Sequence, residues 1–248
     1  MPVRLDVQYQ LATAPNGKAV DVHRPVTDAA VSPVALLWHG VSPDDRAMLR
    51  PLARAVAALG VLVLVPDWRS DASDGGREHL LASLEYARAH APALGGDTDR
   101  FVLAGWSAGA PAALGIALHP ELTGGWRPSA VVGVASRYDL PARTTGTAPL
   151  DDLAAAAPGT PVPVPVDLVH GTEDTLMDIG HSRRLLEALT AQRWPARLEA
   201  VRADHAGAAM TEYDPVLDRC RPSEKEEVRA AGELTALVIA RAAGIPGA

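Results

Sequence analysis

Ser107 lies in the pentapeptide Gly-Trp-Ser-Ala-Gly at residues 105–109, which has the form G-x-S-x-G. An apolar run precedes it at residues 101–104 and small residues follow it at 110–118, as in a strand, a sharp turn and a helix. Such a turn strains the serine backbone and exposes its hydroxyl at a helix N-terminus, where negative charge is favoured. A side chain at Gly105 or Gly109 would collide with the neighbouring strand or helix. The pattern predicts a nucleophilic serine, but so short a motif needs partners elsewhere in the chain.

Two further residues have the types and positions that a nucleophilic serine requires. A serine hydroxyl is weakly nucleophilic at neutral pH and needs a base, most often a histidine oriented by a carboxylate. Asp174 lies in the turn after one predicted strand, and His205 follows the next strand in an Asp-His-Ala-Gly loop. The chain order serine, acid, histidine that accompanies G-x-S-x-G selects the same residues. We predict that Ser107, Asp174 and His205 form a catalytic triad.

Other titratable residues compete for the roles of base and acid. His181 is the one serious rival to His205, but it lies close to the acid loop. The remaining candidates fit solvated helix or loop positions better: His79, His90, His119, Glu173 and Asp178.

The transition state of acyl transfer also requires N–H donors for its oxyanion. We predict the N–H of Ala108, directly after the nucleophile, as one donor. The other is expected from the loop after the third strand, which begins His39-Gly40-Val41, so we predict the Val41 N–H. Gly40 permits a close backbone approach, and His39 is expected to tether the loop.

The elements that must position these residues alternate between strands and helices. Unbroken apolar runs, typical of strands buried on both faces of a parallel sheet, occur at residues 34–38, 61–65, 101–104 and 130–135. Two further strands are predicted at residues 164–169, where a proline interrupts the start, and at 197–201. Helices are predicted at residues 51–59, 77–90, 110–118, 182–191 and 223–242. At the start, Val3, Leu5, Val7 and Tyr9 alternate with polar residues and Asn16-Gly17 signals a hairpin, so two antiparallel strands are expected.

This order predicts an α/β fold with a mostly parallel central sheet of about eight strands and helices on both faces. We expect one domain over residues 1–248. Residues 136–163 are too short for a large cap, so at most a minimal lid with a small helix near residues 150–157 is expected. Ligands of such sheets bind outside the carboxyl ends of the strands, and the residues singled out above all follow predicted strand ends.

Composition excludes several classes of partner and cofactor. The formal net charge of −7 argues against nucleic acid or an anionic membrane as the main partner. The single cysteine, Cys220, excludes an internal disulfide and lacks a local motif, so we interpret it as structural. No metal cluster, phosphate-binding loop or dinucleotide fingerprint occurs, so no cofactor and no metal are expected. Residues 1–6 contain no apolar run of signal-peptide length and no stretch is long enough for a transmembrane helix, so we expect a soluble, cytoplasmic protein.

The sequence resembles the α/β-hydrolase superfamily, and specifically its compact bacterial esterases, over essentially its whole length. The segments that carry the resemblance, besides the pentapeptide, are Asp21-Val22-His23-Arg24-Pro25, Trp38-His39-Gly40, Pro66-Asp67-Trp68-Arg69, Gly95-Gly96-Asp97-Thr98-Asp99-Arg100 and His170-Gly171-Thr172-Glu173-Asp174. The resemblance implies the α/β-hydrolase fold and the triad and oxyanion donors named above.

The chain departs from the family pattern in two places. In those relatives an Asp-Tyr-Arg element after the fourth strand buttresses the oxyanion loop; here Trp68 replaces the tyrosine, so the resemblance assigns that role to Asp67 and Arg69. The common His-Gly-Gly-Gly loop is reduced to one glycine, Gly40. In the family this shorter type is associated with less room for bulky alcohols, which argues against broad activity on highly branched esters.

The leading hypothesis is a cofactor-independent serine hydrolase, a carboxylesterase, for small to medium carboxylic esters. The same triad acting on an aryl formamide, lactone or thioester is the alternative, because all pass through the same oxyanion. A non-catalytic ligand-binding member of the fold is a third hypothesis, since fold alone does not define function. The acyl and alcohol groups and the oligomeric state stay open.

Overall fold

Eight strands form one central sheet in the computed structural model, which describes residues 4–248. They are β1 (Val7–Thr13), β2 (Ala19–Pro25), β3 (Ser32–Trp38), β4 (Leu62–Pro66), β5 (Gly96–Trp106), β6 (Ala130–Val134), β7 (Val166–Gly171) and β8 (Ala196–Val201). Their order across the sheet is β1-β2-β4-β3-β5-β6-β7-β8. β2 is antiparallel to β1 and β4, and all other neighbours are parallel. The predicted mostly parallel sheet of about eight strands is confirmed.

Six helices in the described part of the chain cover the two faces of this sheet. They are α1 (Arg50–Ala57), α2 (Arg77–His90), α3 (Gly109–Leu118), α4 (Pro149–Ala155), α5 (Gly180–Ala191) and α6 (Glu226–Ala242). The apolar side chains of α1 and α6 pack on one face, and those of α2, α3, α4 and α5 pack on the other. Along β3, Leu37 belongs to the first core and Leu36 to the second. Burial on both faces is the reason that the central strands are apolar without alternation.

The N-terminal strand differs from the prediction. Val3 lies outside the described residues, and the strand runs from Val7 to Thr13 rather than over residues 3–9. The expected half-buried alternation holds at Leu5 and Val7, which are half-buried between exposed neighbours, but not at Tyr9, which is 50% exposed. Within residues 4–248, β1 is the edge strand of the sheet and pairs with β2 alone.

A second, two-stranded sheet lies between β8 and α6 and has no counterpart in the prediction. Its strands are β9 (Thr211–Asp214) and β10 (Arg219–Pro222), which pair antiparallel. Both are four residues long and largely polar, so they show no apolar period that would predict a strand. The hairpin also shortens the last predicted helix, since α6 begins at Glu226 rather than near residue 223.

The segment 136–163 contains one short helix, α4, close to the small helix predicted near residues 150–157. α4 packs against α3 and α5, and His119 at the end of α3 lies 3.0 Å from Asp152 of α4. Among the described residues, no helix combines the length and the apolar character that crossing a membrane requires.

Candidate active site

Ser107 occupies a strained turn at the carboxyl end of β5. Its φ of +52° lies in the left-handed region, which costs a non-glycine residue about 1–3 kcal/mol. Bonds to β6 and the residues after it hold this turn: Ser107 N–H donates to the Val134 carbonyl at 2.9 Å, and Ser136 Oγ donates to the Ser107 carbonyl at 2.7 Å. α3 begins two residues later, so the strand, turn and helix predicted for the pentapeptide are all present.

The two glycines of the pentapeptide are required by backbone packing. A Cβ added to Gly105 would collide with the backbone of Gly109, and one added to Gly109 would collide with the carbonyls of Trp38 and His39. β5, α3 and the end of β3 therefore approach one another more closely than any side chain at these positions allows.

Asp174 and His205 are brought together by the ends of β7 and β8. His205 Nδ1 lies 2.8 Å from Asp174 Oδ2. A carboxylate only accepts, so Nδ1 carries the hydrogen and Nε2 is left as the acceptor that a general base needs. The other carboxylate oxygen accepts the backbone N–H groups of Leu176 at 3.0 Å and Met177 at 2.8 Å.

These bonds keep Asp174 ionised. Burial by itself would raise the pKa of this carboxyl group, but the hydrogen bonds from His170, His205 and the Met177 N–H outweigh burial and hold the pKa well below its usual range. A charged carboxylate at this point stabilises the imidazolium that forms when His205 accepts a proton.

His170 is a member of this cluster that sequence reasoning missed. It is fully buried, and its Nε2 lies 2.7 Å from the Met177 carbonyl and 3.4 Å from Asp174 Oδ2. Its Nδ1 lies 2.7 Å from Ser182 Oγ. Because a carbonyl only accepts, Nε2 carries the hydrogen and Nδ1 accepts from Ser182. Its place four residues before Asp174 was visible in the sequence, but the pairing with Ser182 of α5 depends on the fold.

Ser107 is not hydrogen bonded to His205 among the described residues. The two sides of the site are connected instead through Trp106, whose Nε1–H donates to the His205 carbonyl at 2.9 Å. Hydrogen bonds between a nucleophile and its base are often long before substrate binds.

His39 anchors the predicted oxyanion loop, as expected. Its ring is completely buried, with Nδ1 2.9 Å from the Gly40 carbonyl and Nε2 accepting the N–H groups of Asp45 at 3.4 Å and Trp68 at 3.3 Å. The Trp68 indole stacks on the imidazole at 5.2 Å and donates its N–H to the His39 carbonyl. Burial lowers the pKa of His39 to about 4, so the ring is neutral and can accept these bonds.

Asp67 supports the far end of the same loop through Arg46. Its carboxylate accepts the Arg46 backbone N–H at 3.1 Å and pairs with the Arg46 guanidinium, which also donates to buried Asp21 at 2.8 Å. Arg69 directs its exposed guanidinium to Asp71 at 2.7 and 3.0 Å and reaches Asp44 of the loop only at 3.5 Å. Of the two residues that the resemblance assigned to the buttress, Asp67 therefore makes the buried contact.

Gly40 brings the predicted oxyanion loop against Ser107. A Cβ added to Gly40 would lie 3.0 Å from Ser107 Cβ. Neither Val41 nor Ala108, which precedes the first residue of α3, donates its N–H to a backbone carbonyl within residues 4–248. Ala108 directly follows Ser107 in the chain. Val41 directly follows Gly40, which packs against Ser107.

The rival residues lie in other environments. His181 lies at the start of α5, 2.7 Å from Arg184 and 3.6 Å from Asp139. Glu173 is an exposed partner of Arg202. Burial raises the pKa of Cys220 to about 11, which is opposite to the shift that a reactive thiol requires.

No group of three or more His, Cys, Asp or Glu side chains is arranged as metal ligands in the part of the chain that the structure describes.

The central sheet, the turn at Ser107 and the loops after β3, β7 and β8 define the α/β-hydrolase fold, and the chain has this fold. No protein-family model matches the sequence, and no curated protein matches it either.

Solved structures of the same fold are similar over nearly the whole chain. Esterase 2 of Thermogutta terrifontis, phosphorylated by paraoxon, has a TM-score of 0.70 at 17% identity and covers 98% of this chain and 96% of its own. The esterase Est22 has a TM-score of 0.69 at 17% identity, covering 97% and 81%. A Klebsiella pneumoniae protein provisionally named a dienelactone hydrolase has a TM-score of 0.68 at 19% identity, covering 94% and 98%.

Proposed function

We propose that this protein is a serine hydrolase, a carboxylesterase that cleaves small to medium carboxylic esters through an acyl-serine intermediate. The observation that carries the proposal is the 2.8 Å bond between His205 and a buried, ionised Asp174. This pair lies at the carboxyl ends of the strands, where Ser107 occupies a strained turn. The esterases among the structural neighbours support an ester as the substrate.

In the proposed mechanism, His205 Nε2 removes the proton of Ser107 Oγ as the oxygen attacks the ester carbonyl carbon. The N–H groups of Val41 and Ala108 bind the resulting oxyanion. Collapse of the intermediate expels the alcohol, which takes the proton from His205, and leaves an acyl-serine. A water molecule, deprotonated by His205, then attacks the acyl carbon; the bond to Ser107 Oγ breaks, His205 returns the proton to that oxygen, and the carboxylic acid leaves. Asp174 keeps the imidazole in the required tautomer throughout.

Ser107→Ala tests the nucleophile. With a short-chain p-nitrophenyl ester, we expect turnover by the purified variant to fall at least about 10³-fold, because the acyl-serine has no atom on which to form. Ser129→Ala is the matched control, because Ser129 directly precedes β6 at the amino end of the sheet, away from the site; it should retain most of the activity. Undiminished turnover by Ser107→Ala would exclude the mechanism.

A lactone is the second candidate substrate, because one structural neighbour carries the name of a dienelactone hydrolase. Aryl formamides and thioesters pass through the same oxyanion. Comparison of kcat/KM for an ester, a lactone, a formamide and a thioester with matched acyl groups would identify the preferred bond. Absence of fluorophosphonate labelling at Ser107 in folded protein would instead indicate a non-catalytic binding protein.

A further inference from the structure

Trp106 contacts the parts of the candidate site that come from three different elements. It is the last residue of β5 and directly precedes Ser107. Its indole N–H donates to the His205 carbonyl at 2.9 Å, and its ring lies 5.0 Å from the His205 imidazole at an angle of 44°. The side chain is buried. One rigid ring thus connects the strand of the nucleophile to the loop of the base.

The Trp106 ring also packs against Gly40 in the predicted oxyanion loop. A Cβ added to Gly40 would lie 2.7 Å from Cζ3 and 2.9 Å from Cε3 of the indole. The backbone of Gly40 therefore rests directly on the Trp106 ring, one residue before the predicted donor Val41. Any residue larger than glycine at position 40 would prevent this contact.

The bond between Asp174 and His205 does not by itself determine where His205 stands relative to Ser107. It orients the imidazole, but the loop that carries His205 is a short segment ending in a single 3-10 turn at Gly207–Ala209. The Trp106 bond attaches the main chain of His205 to β5, in the middle of the sheet. Tryptophan suits this role because it combines a large ring with a donor and has no acceptor.

We propose that Trp106 is a positioning residue that holds His205 and the Gly40–Val41 backbone at a set distance from Ser107. The inference rests on the proposed function for its effect on catalysis. Its effect on the His205 loop is independent of turnover.

Two variants separate the bond from the ring. Trp106→Phe removes the N–H and part of the ring. Replacement of Trp106 by benzothienylalanine, in which sulfur takes the place of the N–H, removes only the donor. Trp194→Phe is the matched control, because Trp194 is also buried but precedes β8, at the end of the sheet away from the site.

Amide hydrogen exchange is the measurement that does not require activity. The N–H groups of residues 207–210 bond within the His205 loop. Relative to the buried amides of β4, we expect them to exchange about tenfold faster in both Trp106 variants and at the wild-type ratio in Trp194→Phe. An unchanged ratio in both Trp106 variants would overturn the proposal.

The kinetic readout is the division of the effect between kcat and KM for p-nitrophenyl butyrate. We expect kcat to fall by about 10- to 100-fold in both Trp106 variants with KM within about threefold, because a displaced base affects the reaction more than binding. A wild-type protein that cleaves no ester, together with faster loop exchange in the variants, would contradict the proposed function and support the anchoring role of Trp106. Wild-type kcat in both variants would overturn the role in catalysis.

Discussion

Both carboxylate oxygens of Asp174 accept hydrogen bonds from the protein. One oxygen takes the Leu176 and Met177 N–H groups, and the other lies between the imidazoles of His205 and His170. This oxygen therefore interacts with two buried imidazoles, those of His205 and His170. His170 in turn is oriented by Ser182, which connects the acid to α5. The carboxylate is held in place without depending on His205 alone.

Asp174→Asn should lower kcat by about 10³- to 10⁴-fold on a short-chain aryl ester. The amide NH₂ of the asparagine can donate to His205 Nδ1, which favours the tautomer with the hydrogen on Nε2. In that tautomer Nε2 cannot act as a base. Glu173→Gln, one residue earlier and exposed, is the control and should keep the wild-type kcat. The measurement is steady-state kinetics of the two variants side by side. Equal activity of both variants would remove Asp174 from the triad.

At the scale of elements, the predicted oxyanion loop after β3 is fixed at both ends. His39 and Trp68 hold its start, and the pairing of Arg46 with Asp67 and Asp21 holds its end. Val41, which lies between them, is 63% exposed. The contact of this loop with Ser107 is made by the backbone at Gly40.

Removal of the Val41 N–H should slow catalysis, whereas removal of the Val41 side chain should not. Replacing Val41 by its α-hydroxy acid, so that a backbone ester takes the place of the amide, is expected to lower kcat about 10²-fold, because one oxyanion donor is lost. Val41→Ala keeps the donor and should stay within about twofold of the wild type. If the backbone ester were as active as Val41→Ala, the second donor would have to be another group.

At the scale of the whole molecule, two buried histidines connect stability to pH. Burial lowers the pKa of His23 in β2 and of His39 to about 4, from an ordinary value of 6.5. Between these values the unfolded chain binds a proton on each imidazole and the folded protein does not. The free energy of unfolding therefore falls as pH drops from about 6.5 to about 4, by about 3 kcal/mol for each histidine.

His23→Gln should remove one of these two contributions. Urea unfolding at pH 7.5 and pH 4.5 would measure it: we expect the loss of unfolding free energy between the two pH values to be smaller in the variant than in the wild type. His90→Gln, at the exposed end of α2, is the control and should keep the wild-type pH dependence. A variant with the same pH dependence as the wild type would show that His23 is not the group responsible.

The sequence by itself determined which segments form the central strands and which of these strands each site residue follows. Apolar runs such as that of β4 are unmistakable because both faces are buried, and α2 has the bounds Arg77–His90 that its pattern predicts. The hairpin β9–β10 was not predictable, because its short polar strands derive their structure from pairing with each other rather than from a buried face.

Only the tertiary structure decided how the site is held together. The motif order selected Asp174 and His205, but their bond joins residues 31 positions apart in the chain, and the pairing of Arg46 with Asp67 beside the predicted oxyanion loop joins residues 21 positions apart. Trp106 shows the difference most clearly. In the sequence it is an apolar residue at the end of a buried strand, and nothing there indicates that its N–H meets a carbonyl 99 residues later. Local pattern specifies which residues form strands and helices, whereas contacts between elements depend on how those elements pack.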